Sequence, residues 1–387
     1  MYYAENVAKE LKSGTRLVVY GAGQVAREVI NCLMSKPYGL SIDDILVSRK
    51  EGNPEEIIGI PVIPLDLAGT MVERDAVIVV ATMGKHLDSI CENLKNHGYF
   101  HIIPLTFESD QWSLVQGDYY RNFRQSRGKE YLTLEEELEK GREGEKREDR
   151  GGNGNRKEEG SVCVYRVRCH VDRRIEEDLS GYSWEIPIQA GAALTDQRIC
   201  EVRDDQGENI SGKNGQYCEL TALYWIWKHD SSDYAGLCHY RRHFELDEGM
   251  LRKLAYSDID VVLTIPILNF PSVKEVYGHD HGKADWDVMM EGIRILEPDY
   301  LEAAEELERG NFYYGYNMLI ARKEILDDYC GWLFPILEYC EERCGGKDSI
   351  YQRRFVGFLA ERLMGIYFLK HENEYKIVHV RKHFVEK

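Results

Sequence analysis

The chain has 387 residues and a formal net charge of −18 at pH 7, from 67 acidic side chains against 49 lysines and arginines. This length exceeds the size at which one hydrophobic core usually stops growing, so the sequence predicts two domains. The acidic excess excludes a protein whose main partner is the phosphate backbone of a nucleic acid, while a local basic pocket remains compatible with it.

The sequence shows neither membrane-spanning nor secretory signals. Its amino-terminal segment lacks the basic and apolar regions of a signal peptide, and no apolar run is long enough to cross a bilayer. We therefore expect a cytoplasmic protein without a transmembrane segment. The ten cysteines are scattered without a C-x-x-C pair, which favours reduced, mostly structural thiols.

Strand-like and helix-like patterns alternate through residues 15–105, which predicts a parallel α/β sheet with crossover helices. The predicted strands cover residues 16–20, 44–47, 62–65, 76–81 and 102–103, and the predicted helices cover residues 24–33 and 86–96. The first turn reads G-x-G-x-x-A, so Gly21, Gly23 and Gln24 are candidates to bind a phosphate or another anion. The second strand ends in V-S-R-K without the acid that binds a ribose. The basic pair could suit a 2′-phosphate, but no catalytic group accompanies it, so NAD(P) is not expected. A structural or regulatory domain is the alternative.

The predicted first domain, residues 1–133, resembles the small Rossmann-like domains attached to sugar-modifying and polysaccharide-assembly proteins of bacteria. The next segment, residues 134–160, is charged and glycine-rich and has few large apolar side chains. Such a segment cannot bury enough apolar surface to offset the entropy of ordering, so we predict a disordered linker. Residues 161–387 then form the predicted second domain.

A buried helix and a buried strand in the second domain lead into a cationic group. The helix is predicted at residues 219–228 and the strand at residues 234–238. The strand ends in His239, Tyr240, Arg241 and Arg242. This end of a strand is where open α/β sheets bind ligands, and paired arginines beside a histidine suit the oxygens of a diphosphate. The alternative is that one arginine pairs with a core carboxylate such as Glu219 while the other is solvated.

Two other polar pairs are further candidates. His170 and Asp172 follow the first strand of the second domain, where they could contact a base or a ribose, or only stabilise a turn. Asp258 and Asp260 form a D-x-D pair that could hold Mn²⁺ or Mg²⁺, the metals to consider here. The pair precedes an apolar run, however, and could simply begin a strand.

A series of ordered motifs runs through the second domain. They include V-C-V-Y-R-V-R-C-H-V-D at 162–172, P-I-Q-A-G-A at 187–192, N-I-S-G-K-N at 209–214, Y-C-E-L-T-A-L-Y-W-I-W-K at 217–228, G-L-C-H-Y-R-R-H-F at 236–244, Y-N-M-L-I-A-R-K-E at 316–324 and G-F-L-A-E-R-L at 357–363. On these motifs the domain resembles the glycosyltransferase-like domain of bacterial capsular and exopolysaccharide synthesis proteins. The resemblance implies a GT-A-type fold, a mixed sheet that binds a nucleotide-diphosphate sugar and passes the sugar to an acceptor hydroxyl.

Sugar transfer requires positive charge on the diphosphate and, for an inverting reaction, a carboxylate near the acceptor hydroxyl. Asp285, in a polar loop, and Asp348, at a predicted helix start, are the candidate catalytic carboxylates. A solvated loop and a helix cap are the respective alternatives. The other substrate-binding candidates are Asn209, Ser211, Asn214, Glu219, Tyr316, Asn317, Arg354, Glu361 and Arg362. For the last two, a buried structural ion pair is the alternative.

The sequence therefore predicts a glycosyltransferase of bacterial surface polysaccharide assembly. Its partners would be a nucleotide-diphosphate sugar and a glycan or lipid-linked acceptor, the latter reached by peripheral membrane contact. Two alternatives remain open. One is a non-catalytic nucleotide-sugar sensor or scaffold, and the other is a bifunctional protein whose first domain is an active nucleotide-sugar reductase or epimerase.

Overall fold

The computed structural model describes residues 2–140 and 160–385. The chain divides into two compact units, Met1–Glu130 and Tyr131–Lys387. Among the described residues, no helix is both long enough and apolar enough to span a bilayer.

The first unit is a parallel sheet with crossover helices. Its strands are β1 (Leu17–Tyr20), β2 (Asp44–Val47), β3 (Glu56–Ile57), β4 (Ile60–Pro64), β5 (Val77–Val80) and β6 (Ile102–Pro104). Its helices are α1 (Tyr2–Leu11), α2 (Gln24–Met34), α3 (Leu65–Ala68), α4 (Leu87–Asn96) and α5 (Asp110–Ser126). The strand order is β3-β4-β2-β1-β5-β6, parallel except for the β3–β4 pair. Every residue of β1, β2 and β5 is buried, as in parallel strands covered on both faces. The Rossmann-like fold predicted for this part is confirmed.

The second unit is built on a mixed sheet. Its strands are β7 (Val162–Arg168), β8 (Ile186–Gln189), β9 (Val202–Arg203), β10 (Tyr234–His239), β11 (Arg242–Phe244), β12 (Val261–Thr264), β13 (Ile267–Leu268), β14 (Phe312–Tyr313), β15 (Leu319–Arg322), β16 (Ile377–Val380) and β17 (Lys382–Phe384). Its helices are α6 (134–140), α7 (Asn214–Tyr217), α8 (Leu220–His229), α9 (Glu248–Ala255), α10 (Val273–Tyr277), α11 (Lys283–Leu296), α12 (Leu301–Arg309), α13 (Lys323–Arg343) and α14 (Phe355–Lys370). A π-helical segment, Gly278–Gly282, joins α10 to α11.

The main sheet has the order β16-β12-β15-β10-β7-β8-β9. Strand β15 is antiparallel to both β10 and β12, so β10 and β12 run in the same direction. Strand β11 turns back from β10 and pairs with β17. The carboxyl ends of β7 and β10 therefore lie side by side at one edge of the sheet, and the amino end of β12 lies at the other. The mixed α/β fold predicted for the second domain is confirmed.

Gly236 brings β10 and β15 close together at the centre of this sheet. It pairs with Ile320, and a Cβ atom at Gly236 would lie 2.3 Å from the carbonyl oxygen of Leu319. A larger residue would push the two strands apart. Because Leu237 pairs with Leu319, the antiparallel register continues towards His239 on one strand and towards the turn before Leu319 on the other.

The predicted disordered linker is wrong for its first residues, because residues 134–140 form helix α6. Thr133 caps this helix: its Oγ1 accepts a hydrogen bond from the backbone N of Glu136 at 3.3 Å. Leu134 and Leu138 are only 1% and 6% exposed and belong to the core of the second unit. Two leucines at helical spacing supply an apolar stripe that the overall charge of the segment concealed. Residues 141–159 of the predicted linker lie outside the described residues.

If α6 is an integral part of the second unit, Leu134→Ala should destabilise that unit by about 2–5 kcal/mol, because it removes a fully buried side chain from a packed core. Glu135→Ala changes the exposed neighbouring position of the same helix and should leave stability within about 0.5 kcal/mol. Differential scanning calorimetry on the full chain measures both. Equal melting temperatures for the two variants would contradict the packing of α6 described above.

Candidate functional site

Charged and polar side chains from four parts of the second unit converge at the carboxyl end of β10. We call these residues the charged cluster: Glu219, His239, Arg242, Tyr316, Asn317, Arg354 and Glu361. Glu219 directly precedes α8, His239 ends β10 and Arg242 begins β11. Tyr316 and Asn317 form the turn before β15, Arg354 precedes α14 and Glu361 lies within α14.

The Tyr316–Asn317 turn is held by hydrogen bonds from three directions. Nε2 of His239 lies 2.6 Å from the carbonyl oxygen of Tyr316, and the backbone N of Tyr316 donates to Oε1 of Glu361 at 2.8 Å. Asn317 is fully buried, and its Nδ2 donates to Oε1 of Glu219 at 2.8 Å and to the carbonyl oxygen of Gly357 at 3.3 Å. Its Oδ1 atom is buried and has no hydrogen-bond partner among the described residues.

Backbone strain concentrates at this cluster. Among the described non-glycine residues, four have positive φ, and three of them are Cys218 at 51°, Tyr316 at 67° and Asn317 at 51°. Asparagine tolerates this region, but a cysteine or a tyrosine there is strained by about 1–3 kcal/mol. Strained residues persist only where surrounding contacts hold them, and they are enriched at functional sites. The concentration of strain therefore marks this cluster as the candidate functional site.

His239 contributes a hydrogen bond rather than a positive charge. Burial lowers the pKa of its imidazole, and the neighbouring guanidinium groups of Arg242 and Arg354 lower it further, while Glu219 opposes them. A neutral ring with its proton on Nε2 donates to the carbonyl oxygen of Tyr316. Of the three cations predicted at residues 239–242, the histidine therefore serves to hold the Tyr316–Asn317 turn.

The positive charge of the cluster comes from two arginines that are distant in sequence. The guanidinium of Arg242 lies over the ring of Tyr316, 4.2 Å from its centroid. Arg354 donates from Nε to Sγ of Cys218 at 3.1 Å. Arg241 instead donates to the carbonyl oxygen of Val385 at 2.8 Å and stacks on Phe384. The structure therefore places Arg354 with Arg242, where the sequence paired Arg241 with Arg242.

The two carboxylates of the cluster have different surroundings. Glu361 accepts from Tyr316 through one oxygen and from Arg362 through the other, at 2.7 Å. Burial raises the pKa of Glu361, with Glu219 acting in the same direction, while Arg362 and Arg242 oppose the shift. Glu219 uses Oε1 to hold Asn317. Both carboxylates are half-buried, and Glu361 engages both of its oxygens within the protein.

Several predicted substrate residues form hydrogen bonds within turns near the same edge of the sheet. Asp172 accepts from the backbone N of Cys169 at 2.7 Å, beside His170, and the backbone N of Tyr240 donates to Val167. Asn209 and Ser211 belong to a second turn: Oδ1 of Asn209 accepts from the backbone N of Ser211 at 3.1 Å.

Asn214 joins the second turn to the start of α8, since its Nδ2 donates to the carbonyl oxygen of Cys218 at 2.7 Å. It therefore positions Cys218, the chain neighbour of Glu219 in the charged cluster.

The D-x-D pair lies away from the charged cluster. Asp258 and Asp260 precede β12, at the sheet edge opposite to His239. Asp258 pairs with Nζ of Lys376 at 2.8 Å, and Asp260 pairs with Nε of Arg322 at 3.0 Å. Both carboxylates are already neutralised by cations, so this pair does not fit a Mn²⁺ or Mg²⁺ ion that serves the cluster.

The two predicted catalytic aspartates, Asp285 and Asp348, also differ in their surroundings from the sequence prediction. Asp285 is not in a loop: it lies in the first turn of α11, is buried, and pairs with Nζ of Lys347 at 2.5 Å. The segment directly before α11 is π-helical. Asp348 does not begin a helix, because α14 starts at Phe355. Neither aspartate is part of the charged cluster.

In the glycine-rich turn of the first unit, residues 21–24, close packing requires a glycine at position 21. Gly21 has φ of 126°, and a Cβ atom there would lie 2.5 Å from the carbonyl oxygen of Ala81, at the end of the adjacent strand. Gly23 faces open space, with no atom within 4 Å of a Cβ atom at that position. Gln24 begins α2 and donates to Glu28 at 2.8 Å. Gly23 and the start of α2 are thus the part of this turn that a ligand could reach.

A family described as "Domain of unknown function (DUF4422)" matches residues 167–373, which is more than half of the chain. The chain belongs to this family. Every residue of the charged cluster lies within the DUF4422 region. No curated protein sequence matches the chain significantly.

Among solved structures, the DUF4422 chain is similar to the apo structure of the bifunctional glycosyltransferase WbbM. The two share 27% sequence identity with a TM-score of 0.53, over 59% of this chain and 46% of the WbbM chain. The chain thus spans less than half of the length of that protein. The similarity supports a glycosyltransferase-like fold, in agreement with the mixed sheet described above.

Because the backbone at Cys218 is strained, we expect a glycine at this position to be more stable than an alanine, the reverse of the usual order. The Cys218 φ of 51° and ψ of −127° suit glycine, so Cys218→Gly should be more stable than Cys218→Ala by about 1–2 kcal/mol. Both variants lose the thiol contact with Arg354, so their difference isolates the backbone. The same pair of substitutions at Cys163, in strand β7, should show the ordinary order with alanine more stable. Chemical denaturation measures all four, and a more stable alanine at position 218 would contradict the strain.

Proposed function

We propose that the charged cluster binds the diphosphate of a nucleotide sugar and that the second unit transfers the sugar to an acceptor hydroxyl. The observation that carries this proposal is the convergence of Arg242, Arg354 and Glu219 on a strained turn at the carboxyl end of β10. Open α/β sheets bind their ligands at this edge. The similarity to a glycosyltransferase supports sugar transfer as the class of reaction.

The arginines suit the leaving group of this reaction. When the bond between the anomeric carbon and the phosphate oxygen breaks, negative charge grows on the departing diphosphate. Guanidinium groups bind such oxygens in two-point contacts and stabilise the developing charge. Stacking on Tyr316 holds the Arg242 guanidinium in a fixed plane, so little reorganisation is needed when the charge develops.

Glu219 is the carboxylate best placed to face a sugar. Both oxygens of Glu361 are engaged within the protein, whereas Glu219 binds Asn317 through Oε1, one of its two oxygens. A carboxylate in this position would accept a hydrogen bond or a proton from a hydroxyl of the donor or acceptor. We therefore assign the sugar-facing role to Glu219 rather than to Asp285 or Asp348.

The finer assignment rests on the resemblance of the motifs. It comprises a GT-A-type domain, transfer of a hexosyl group, and a glycan or lipid-linked acceptor in bacterial surface polysaccharide synthesis. A panel of UDP-, GDP-, dTDP- and CMP-sugars, each with and without Mn²⁺ or Mg²⁺, tests the donor class by thermal shift and by sugar release. If no nucleotide sugar stabilises the protein or reacts, the proposal fails.

Removal of either arginine should weaken donor binding. We expect Arg242→Ala and Arg354→Ala each to raise the dissociation constant by about tenfold or more, since a charge-assisted hydrogen bond contributes about 1.5–3 kcal/mol. Isothermal titration calorimetry with the nucleotide sugar found in the panel measures the loss. Arg241→Ala and Arg353→Ala are the matched controls, because each removes the sequence neighbour of a cluster arginine. Equal losses in the controls would refute the Arg242–Arg354 pair.

Glu219→Gln keeps the size of the side chain and removes its charge. If Glu219 assists proton transfer, kcat should fall by about 10²–10⁴-fold while the donor dissociation constant stays near the wild-type value. Steady-state kinetics with the donor and acceptor measure the effect. Asp348→Asn is the control and should retain most of the activity. A normal kcat for Glu219→Gln would remove this residue from the chemical step.

A further inference from the structure

A second cluster of reactive side chains lies at the same end of β10 as the charged cluster, on the opposite face of the sheet. Glu185, Cys238 and His243 are 3%, 0% and 0% exposed, and one ligand atom from each lies within 4.8 Å of the others. Sγ of Cys238 is 3.2 Å from Oε1 of Glu185. Nδ1 of His243 is 2.9 Å from both oxygens of the same carboxylate. Glu185 directly precedes β8, whereas Cys238 and His243 lie on the two strands of the β10–β11 hairpin.

Hydrogen bonds alone already account for part of this arrangement. Burial and the adjacent Glu185 raise the pKa of the Cys238 thiol, so without a cation the thiol stays protonated and donates to the carboxylate. The imidazole donates from Nδ1 to Glu185 and stacks on the ring of Tyr182 with a centroid distance of 4.3 Å. Its Nε2 atom is buried and lacks a hydrogen-bond partner in the described parts of the chain. The ring is therefore fixed by Glu185 through Nδ1 and by stacking on Tyr182.

We propose that Glu185, Cys238 and His243 bind a transition-metal ion, with zinc as the ion that the donor set favours. A thiolate, an imidazole nitrogen and a carboxylate oxygen suit zinc, whereas Mg²⁺ and Mn²⁺ prefer oxygen ligands. Binding would release the thiol proton, place the imidazole proton on Nε2 and leave Nδ1 and Sγ as ligands. Zinc bonds are about 2.0–2.1 Å to nitrogen and about 2.3 Å to sulfur, so the present contacts need to open by only a few tenths of an ångström.

The surrounding charge is compatible with such an ion. Arg166 contacts Oε2 of Glu185 at 3.3 Å, whereas the Cys238 contact is to Oε1. The Arg166 guanidinium can therefore hold Oε2 of Glu185 while Oε1 binds the metal. Carboxylate ligands of metals commonly accept such a hydrogen bond. The thiolate and the Glu185 carboxylate together balance the two charges of a divalent ion, and because one thiol proton leaves as the ion enters, binding raises the net charge of the site by one.

The position of the cluster gives the metal a structural consequence. Cys238 and His243 stand at either side of the turn between β10 and β11, which carries His239 and Arg242 into the charged cluster. A metal bonded to both would brace this turn at its base. The inference does not rest on the proposed transferase activity, because the metal site and the charged cluster use different residues.

Metal content of the full-length wild-type protein is the first test. After expression with added zinc and extensive dialysis, inductively coupled plasma mass spectrometry should find about one zinc ion per chain. Reconstitution with Co²⁺ should give a thiolate-to-cobalt charge-transfer band in the near ultraviolet. X-ray absorption at the zinc edge should show one sulfur at about 2.3 Å with nitrogen or oxygen neighbours at about 2.0–2.1 Å. A zinc content below about a tenth of an equivalent, with no cobalt band, would overturn the proposal.

Two variants then locate the ion. Cys238→Ser should lose the zinc and the cobalt band, while Cys163→Ser, on the neighbouring strand and outside the cluster, should keep both. Retention of full zinc by Cys238→Ser would also overturn the proposal, because the ion would then be bound elsewhere. Should Cys238→Ser fail to fold, the wild-type absorption spectrum decides, since a zinc shell without sulfur refutes the site. None of these readouts depends on a nucleotide sugar, so failure of the proposed function would not alter them.

Discussion

The close approach of two antiparallel strands at Gly236 is the constraint on which the candidate site depends. The missing side chain lets the backbone of Leu319 approach β10, because a Cβ atom at Gly236 would lie 2.3 Å from the Leu319 carbonyl oxygen. The register that follows places the turn before β15 opposite the end of β10, so the carbonyl oxygen of Tyr316 meets His239. The site is therefore positioned by backbone packing at the centre of the sheet. Its side chains extend from the ends of β10 and β15, which cannot shift independently of each other.

Within this frame the charged groups balance one another. Arg242 and Arg354 face Glu219 and Glu361, and burial keeps His239 neutral between them. Charges of both signs in one half-buried site are costly to desolvate unless they are paired or meet a ligand. A diphosphate would engage the arginines and sugar hydroxyls would engage the carboxylate, which makes the arrangement suitable for a substrate that is anionic at one end and polar and neutral at the other.

The sequence predicted the parts of this protein that depend on local pattern. Alternating strands and helices gave the parallel sheet of the first unit, and the apolar run from Tyr234 to Cys238 correctly placed a strand that ends at His239. Contacts between distant residues were outside its reach: Arg354 and Cys218 are separated by 136 positions, and no periodic pattern links them. The neutral state of His239 depends on burial, which only the assembled fold supplies. Helix α6 was missed because the charge of the whole segment outweighed two buried leucines.

The last two residues of β10 serve opposite faces of the sheet. Successive side chains of a strand point in opposite directions, so Cys238 meets Glu185 and His243 on one side while His239 meets Tyr316 on the other. A one-residue slip in the register of β10 would exchange the two and disrupt both clusters at once. Gly236, two residues earlier, allows the pairing that prevents this slip. The same local packing thus secures the proposed substrate site and the proposed metal site, although the two share no side chain.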